Sequence, residues 1–197
     1  MASEASTSVW PVPPDGGWTA DDLDHLPELP QHTQLIDAAL VFPCPQSAFH
    51  ERATSLFGRR LSLDAVPGLD VLCRFSMHVD RQNRLEPDVI VLREEVLTSH
   101  DQTRVPASAV VLAVEVTSED SLSRDRETKP LKYARAGIAH YWRVESEKGA
   151  AVVHAFELEP TTGAYTGVGI FRDRMKVSAP FPMDLDLTVI KPRRGAE

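Results

Sequence analysis

The sequence has little cysteine and no long apolar run. Only two of its 197 residues are cysteines, Cys44 and Cys73, and they lack the CxxC spacing of thiol-based metal or redox sites. Both lie among apolar residues, so we expect reduced packing side chains. No stretch of about 18 apolar residues occurs, so we expect no membrane span. The first 17 residues lack the basic start and apolar stretch of a signal peptide, which predicts a cytoplasmic protein.

An excess of basic residues is also missing, because the formal net charge is −8. Strong nonspecific attraction to nucleic acid needs a basic footprint, which this balance does not provide. An enzyme could still meet nucleic acid through a local basic rim or through bound metal ions. The apolar and charged fractions, 42% and 25%, are those of an ordinary globular domain with a real core.

The hydrophobic pattern predicts a single domain at 19–190 between a loose tail at 1–18 and a C-terminal tail at 191–197. Strands alternate with two main helices, which predicts an α/β (α+β) fold with a mixed central β-sheet flanked by helices. The predicted helices lie at 19–30, at 47–63 and from Glu127 or Thr128 to Gly137. The predicted strands lie at 34–42, 69–80, 86–95, 110–118, 139–146, 151–159, 163–172 and within 179–190.

Two carboxylates interrupt strand-like apolar runs. Asp88 follows Pro87 in EPDVIVL, and Glu115 lies within VLAVEVT. If the two strands are neighbours, both carboxylates converge at one end of the sheet, where a divalent cation relieves their repulsion. Mg²⁺ or Mn²⁺ suits such oxygen ligands, with Asp88, Glu115 and the Val116 backbone carbonyl as metal ligands. The alternative is an unrelated pair, in which Asp88 is a turn or cap residue and Glu115 an edge or salt-bridge residue.

A cation that contacts substrate or water is the other expected part of such a site. Thr117, two residues after Glu115, offers only a hydroxyl. Lys129 is the better candidate, because it falls in the first turn of the helix that follows the strand. The intervening loop also carries Arg124 and Arg126, which could form a local positive rim.

The motifs PDVIVL and VVLAVEVTSEDSLSRDRETKPLKYARAGIAHYWRVE resemble the Uma-type restriction endonuclease family of the PD-(D/E)XK nuclease superfamily. The segment QLIDAALVFPCPQSAFH resembles the leading part of that family. The resemblance covers about residues 30–190. It implies a restriction-endonuclease-like core and Mg²⁺-dependent hydrolysis of phosphodiester bonds.

Carried over residue by residue, the resemblance assigns Asp88 to the acidic position of the PD motif and Glu115 to that of the (D/E)XK strand. The lysine position of that strand holds Thr117, and the catalytic lysine is matched by Lys129 on the next helix. His50 matches a histidine of the family, and it could face the site or cap the helix. Tyr133 lies four residues after Lys129, where it could position the lysine or fill the core.

The leading motif, usually ELIDG, reads QLIDA here. Gln34 stands where the family has an accessory glutamate, so the site loses a negative charge. An amide oxygen can still orient water or bind a metal weakly. Ala38 replaces glycine, which indicates a different backbone geometry at the turn.

The resulting prediction is a metal-dependent endonuclease acting on nucleic acid, with DNA as the first candidate. A homodimer is a further expectation, because cutting two strands needs two sites. Two alternatives stay open. One is an inactive nuclease-like scaffold for protein binding or regulation, which Gln34 and the acidic net charge favour. The other is a metal-dependent hydrolase of a different phosphate ester.

Overall fold

The computed structural model describes residues 12–190, a range that contains the whole predicted domain at 19–190. Its helices are α1 (Ala48–Asp64) and α2 (Lys129–Arg135), and short helical turns lie at Asp22–Asp24, Glu94–Val96, Ala107–Ala109, Arg124–Thr128 and Leu187–Ile190. The strands are β1 (Gln34–Ile36), β2 (Ala39–Val41), β3 (Leu69–Cys73), β4 (Ser76–Asp80), β5 (Asn83–Leu85), β6 (Val89–Arg93), β7 (Arg104–Pro106), β8 (Val110–Val116), β9 (His140–Glu147), β10 (Ala150–Glu159), β11 (Ala164–Phe171), β12 (Arg174–Val177) and β13 (Met183–Asp186).

The central layer is a six-stranded sheet with the order β11-β10-β9-β8-β6-β3. β8 pairs in parallel with β9 and antiparallel with β6, so the sheet is mixed. A five-stranded sheet with the order β2-β1-β5-β4-β7 and a β12–β13 hairpin complete the β-structure. The predicted mixed α/β fold is therefore confirmed, with several sheets in place of one.

Alternating side chains of the central strands fill two separate cores, one on each face of the sheet. On one face, Val114 of β8 packs with Phe57 of α1 and with Trp142 of β9. On the opposite face, Ala113 of β8 packs with Tyr133 of α2 and with residues of the five-stranded sheet. This burial on both faces explains the nearly continuous apolar sequence of β8.

The helix α1 begins where a cap residue predicts it. The Ser47 hydroxyl accepts a hydrogen bond from the His50 backbone N–H at 3.2 Å, which satisfies one free donor of the first turn. Ala53, Phe57 and Leu61 are buried at helical spacing on the face that meets the sheet. This helix was predicted at 47–63, and the structure confirms it.

The second helix, α2, begins at Lys129, next to the predicted start at Glu127 or Thr128, but the helical turns that precede it were not predicted. Helical turns begin at Leu122, pass through a π-helical turn at Arg124–Thr128 and continue into α2, so Pro130 lies inside the helical segment. In the π turn the Lys129 N–H bonds to the Arg124 carbonyl, and Pro130 has no N–H for the next carbonyl, that of Asp125. The Tyr141 hydroxyl donates to that carbonyl instead, at 2.6 Å. A side chain from β9 therefore compensates for the proline.

Three other local predictions need correction. The predicted strand at 34–42 is a hairpin of β1 and β2, turned at Asp37 and Ala38, which have positive φ values of 50° and 64°. The predicted helix at 19–30 contains only the turn Asp22–Asp24, in which Asp22 accepts hydrogen bonds from Thr19. The predicted strand at 69–80 is divided into β3 and β4, which belong to different sheets.

The cysteines are free, as expected, but both are exposed and neither is part of a core. The predicted tails at 1–18 and 191–197 lie largely outside the described residues. Within the described part of the chain, the helices are too short or too polar to cross a membrane.

Candidate active site

The register between β6 and β8 brings the two predicted carboxylates together. Val89 pairs with Val114, and one residue further along each strand stand Asp88 and Glu115. Both residues therefore lie at the same end of the sheet, and both line one cleft. A hydrogen bond holds Asp88 against β8, because the Val116 N–H donates to Asp88 Oδ2 at 2.7 Å.

Asp88 lies where α1 meets the central sheet. Its Oδ1 is 3.1 Å from Nε2 of His50, a side chain that is only 5% exposed. The other ring nitrogen of His50, Nδ1, is buried without a hydrogen-bond partner among the described residues. The cap at Ser47 fixes the first turn of α1 and thereby holds the imidazole against Asp88.

Glu115 is a charged residue inside the sheet, with an exposed fraction of 3%. Its Oε2 accepts a hydrogen bond from Lys129 Nζ at 2.9 Å, and its Oε1 accepts one from the Tyr133 hydroxyl. Burial raises the pKa of the Glu115 carboxyl to about 8. Lys129 opposes this shift, while the charges of Asp125 and Asp88 add to it.

Lys129 is equally buried, at 3% exposure, and it lies between two carboxylates. Its ammonium is 2.9 Å from Glu115 Oε2 and 3.0 Å from Asp125 Oδ1. Burial alone would lower the pKa of Lys129, but the two carboxylates outweigh it and hold this pKa above the ordinary value. The lysine therefore remains a cation at neutral pH.

These groups open onto a cleft of about 300 Å³. Its walls include both predicted carboxylates, Lys129, and the cationic side chains of Arg74 and Arg124 near them. Arg74 also pairs with Glu51 of α1. The cleft therefore combines acidic groups at its base with cations that could meet a phosphate.

The structure brings the other predicted site residues to this cleft unequally. Gln34 lines it, and its side-chain oxygen accepts the Glu86 N–H at 3.2 Å. His50 also lines the cleft. Tyr133 is not among the lining residues, and its hydroxyl donates a hydrogen bond to Glu115. Thr117 is not among the lining residues. Its N–H donates to the Val144 carbonyl, and its hydroxyl is buried without a hydrogen-bond partner in the described chain.

Three side chains near the site were not predicted from the sequence: Asp125, Glu86 and His32. Asp125 was treated as part of a loop, but it is 1% exposed and pairs with Lys129, and its i,i+4 spacing was the available signal. Glu86, two residues before Asp88, lines the cleft and pairs with His32. No sequence signal links these two, because 54 positions separate them. Arg126, expected on the rim, instead binds Glu145 at 2.6 Å.

The donor chemistry of the cleft fits a hard divalent cation. Asp88 and Glu115 supply carboxylate oxygens, and Gln34 supplies an amide oxygen on the same cleft. Each carboxylate oxygen has a protein donor, yet an ionised oxygen can accept a second partner. Across residues 12–190, no three His, Cys, Asp or Glu side chains are grouped closely enough to hold a metal by themselves. Water or phosphate oxygens would complete the coordination, as is usual for Mg²⁺.

Comparison with known proteins adds a family and a fold. The family model Uma2, described as "Putative restriction endonuclease", matches residues 20–189. The chain is similar to a "putative nuclease belonging to DUF820" from Anabaena variabilis ATCC 29413, with a TM-score of 0.63 and 15% identity over 82% of this chain and 89% of that chain. It is also similar to cAAA-bound NucC of P. aeruginosa ATCC27853, with a TM-score of 0.37 and 9% identity over 59% of this chain and 70% of that chain. No curated protein sequence matches the chain.

The likeness to the Anabaena protein shows a shared fold over most of both chains. The family match covers nearly all of the described residues, including both carboxylates and Lys129. On this basis the chain belongs to the Uma2 family, whose description is "Putative restriction endonuclease".

Proposed function

We propose that the chain is an Mg²⁺- or Mn²⁺-dependent endonuclease that hydrolyses phosphodiester bonds in nucleic acid, with DNA as the first candidate substrate. One observation carries the proposal. Asp88 and Glu115 stand side by side at the end of two neighbouring strands, and Lys129 lies 2.9 Å from Glu115 in the same cleft. Family membership supports the same class of reaction.

Each group has a distinct part in the proposed reaction. A bound Mg²⁺ would activate water and neutralise charge on the phosphate. Asp88 and Glu115 would hold it, with the Val116 carbonyl as a further predicted ligand. Lys129 is a cation at neutral pH, so it stabilises negative charge that develops on the phosphate and is not a general base.

Two side chains near Asp88 would assist. His50 contacts Asp88 Oδ1 and orients this carboxylate toward the cleft. Glu86 lines the cleft beside Gln34, so it could restore part of the negative charge that Gln34 does not supply.

Cleavage of supercoiled plasmid, single-stranded DNA and RNA, each with Mg²⁺, Mn²⁺ or EDTA, tests this proposal. We expect cleavage with either metal and none with EDTA. Asp88→Asn and Glu115→Gln should each lower the rate at least about 100-fold, because each removes a charged metal ligand. Glu145→Gln is the matched control, since Glu145 is a buried carboxylate that pairs with Arg126 and Arg143 outside the cleft. Equal rates for the wild type and both site variants would refute the proposal.

Duplex cleavage would also require two sites, and a homodimer is the simplest way to supply them. We propose this as the active form on duplex DNA. Light scattering of a catalytically impaired variant, alone and bound to a short duplex, would count the chains in each state. The homodimer would be contradicted if a single chain were bound to each duplex and the wild type still cut both strands.

The scaffold alternative is favoured by the engagement of every oxygen of Asp88 and Glu115 by protein groups, together with Gln34 in the accessory position. In that case the cleft would be a structural ion-pair network in a protein-binding domain. Metal binding separates the two functions. A scaffold would bind no Mn²⁺ at millimolar concentration, with or without nucleic acid, whereas the nuclease would bind it in at least one of these states.

A further inference from the structure

Asp125 is the most buried charged residue near the cleft, although it belongs to a polar stretch of sequence. It is 1% exposed and lies in the π-helical turn that precedes α2. The Ser121 hydroxyl donates to its Oδ2, and its own carbonyl accepts the Tyr141 hydroxyl at 2.6 Å. Both ends of the residue are therefore fixed. Wide helical turns of this kind occur frequently at functional sites.

The fixed carboxylate forms an ion pair with Lys129, although its Oδ1 makes no hydrogen bond of regular geometry among the described residues. Asp125 Oδ1 is 3.0 Å from Lys129 Nζ, and on its other side the ammonium meets Glu115 Oε2 at 2.9 Å. When Glu115 is ionised, the three groups carry two negative charges and one positive charge. A lysine needed only to neutralise Glu115 would not require the second carboxylate, and burying an extra charge is costly.

The second carboxylate matters when a cation arrives. A metal ion at Glu115 competes with Lys129 for the same oxygens and repels the ammonium. Without another anion, Lys129 would be left beside the metal with no partner. With Asp125 in place, the ammonium keeps a buried partner and remains within reach of the cleft.

We propose that Asp125 is a positioning residue that retains Lys129 when a divalent cation occupies Glu115, and so releases Glu115 to act as a metal ligand. This inference rests on the proposed function, because it assumes that Glu115 binds metal. It assigns to Asp125 no direct contact with metal or substrate.

Mn²⁺ binding by isothermal titration calorimetry at about pH 8, without nucleic acid, tests the inference in a cycle of four proteins. These are the wild type, Asp125→Asn, Lys129→Met and the double variant. Asp125→Asn should weaken Mn²⁺ binding about tenfold, the usual cost of losing a residue behind a metal ligand. The same substitution should have almost no effect in the Lys129→Met background, because there is no ammonium to retain. Asn and Met are close in size to the residues they replace, so packing changes little.

The cycle distinguishes the inference from its competitors. A tenfold loss in both backgrounds would mean that Asp125 acts as a direct ligand or by simple charge, and would overturn the inference. Equal affinity of the wild type and Asp125→Asn would overturn it too, while leaving the proposed function intact. No binding by the wild type, even with a nuclease-resistant oligonucleotide present, would refute both.

Two further variants serve as a substitute for Asp125→Asn and as a control. Ser121→Ala frees the other carboxylate oxygen of Asp125 without touching Lys129, and it should weaken Mn²⁺ binding about two- to fivefold if the orientation of Asp125 matters. It takes the place of Asp125→Asn in the cycle if that variant does not fold. Glu145→Gln, the buried carboxylate outside the cleft, should bind Mn²⁺ like the wild type.

Discussion

Glu115→Gln should remove a stability cost that the metal-free protein carries at its candidate active site. Glu115 is 3% exposed, and burial raises the pKa of its carboxyl to about 8 from an ordinary value of 4.5. Glutamine has the same shape and no charge. The variant therefore keeps the packing of β8 while removing the group that titrates.

The direction in which the free energy of unfolding changes with pH follows from proton binding. Between pH 4.5 and about 8 the folded protein retains the Glu115 proton, whereas the unfolded chain has released it. Stability contributed by that proton is complete below pH 4.5 and is lost as the pH rises to about 8. Since a tenfold change in proton affinity is equivalent to about 1.4 kcal/mol, the interval between pH 4.5 and about 8 sets an upper limit of about 5 kcal/mol. Local relaxation and water entry reduce this, and we expect about 2–3 kcal/mol between pH 5 and 8.

Urea unfolding at several pH values in EDTA measures this difference directly. The free energy of unfolding of the wild type, minus that of Glu115→Gln, should fall by about 2–3 kcal/mol from pH 5 to pH 8. Other titrating groups cancel in the subtraction, and Asp125 still faces Lys129 in the variant. A difference that stays constant, or that rises with pH, would show that Lys129 stabilises Glu115 as an ion throughout, and would refute the reasoning.

Three further predictions concern the surroundings of the site. Tyr141→Phe leaves the Asp125 carbonyl without its hydroxyl partner, so urea unfolding should show a loss of about 1–3 kcal/mol; an unchanged midpoint would contradict the role given to this bond. Glu145→Gln removes a carboxyl whose pKa its arginine partners lower to about 2, so the loss of about 1 kcal/mol at pH 7 should disappear as the pH falls from 4.5 to 2, and a loss independent of pH would argue against the ion pair. Gln34→Glu restores a carboxylate beside Glu86, and calorimetry should show Mn²⁺ binding several-fold tighter; weaker binding would place this position outside the metal site.

The two carboxylates of the site could be predicted because each breaks a local rule. Glu115 interrupts an apolar strand, and Asp88 follows a proline at the start of another, and burial of an unpaired charge demands a partner. Lys129 was found from its place after the strand and from the family resemblance. Their convergence depended on the pairing of β6 with β8, which the sequence suggested only as a condition and the register between Val89 and Val114 supplies.

The errors have a common physical origin, since each depends on a residue distant in sequence. Proline rules placed the start of the helix at Glu127 or Thr128. Tyr141 from β9 satisfies the carbonyl that Pro130 leaves free, and helical turns extend back to Leu122. Ala38 keeps a positive φ, a geometry for which glycine or asparagine is the usual signal, so the different backbone geometry expected from the replacement of glycine was wrong.

The same limit explains the side chains that were missed. Asp125 looks like a surface residue in SRDRE, and only the packing of the π-helical turn against Lys129 buries it. Glu86 pairs with His32, which lies 54 positions earlier, through a contact between two loops that no local pattern contains. Local sequence therefore predicted the residues that interrupt strand patterns, whereas their hydrogen-bond and ion-pair partners depend on the tertiary structure.

Anomalous diffraction from crystals soaked in Mn²⁺ would show whether Asp88 and Glu115 together bind a divalent cation. We predict an anomalous peak within about 2.0–2.4 Å of a carboxylate oxygen from each residue, with Lys129 turned toward Asp125, and no peak in Asp88→Asn crystals. A peak elsewhere in the cleft, or no peak with Mn²⁺ and a bound oligonucleotide, would contradict the account.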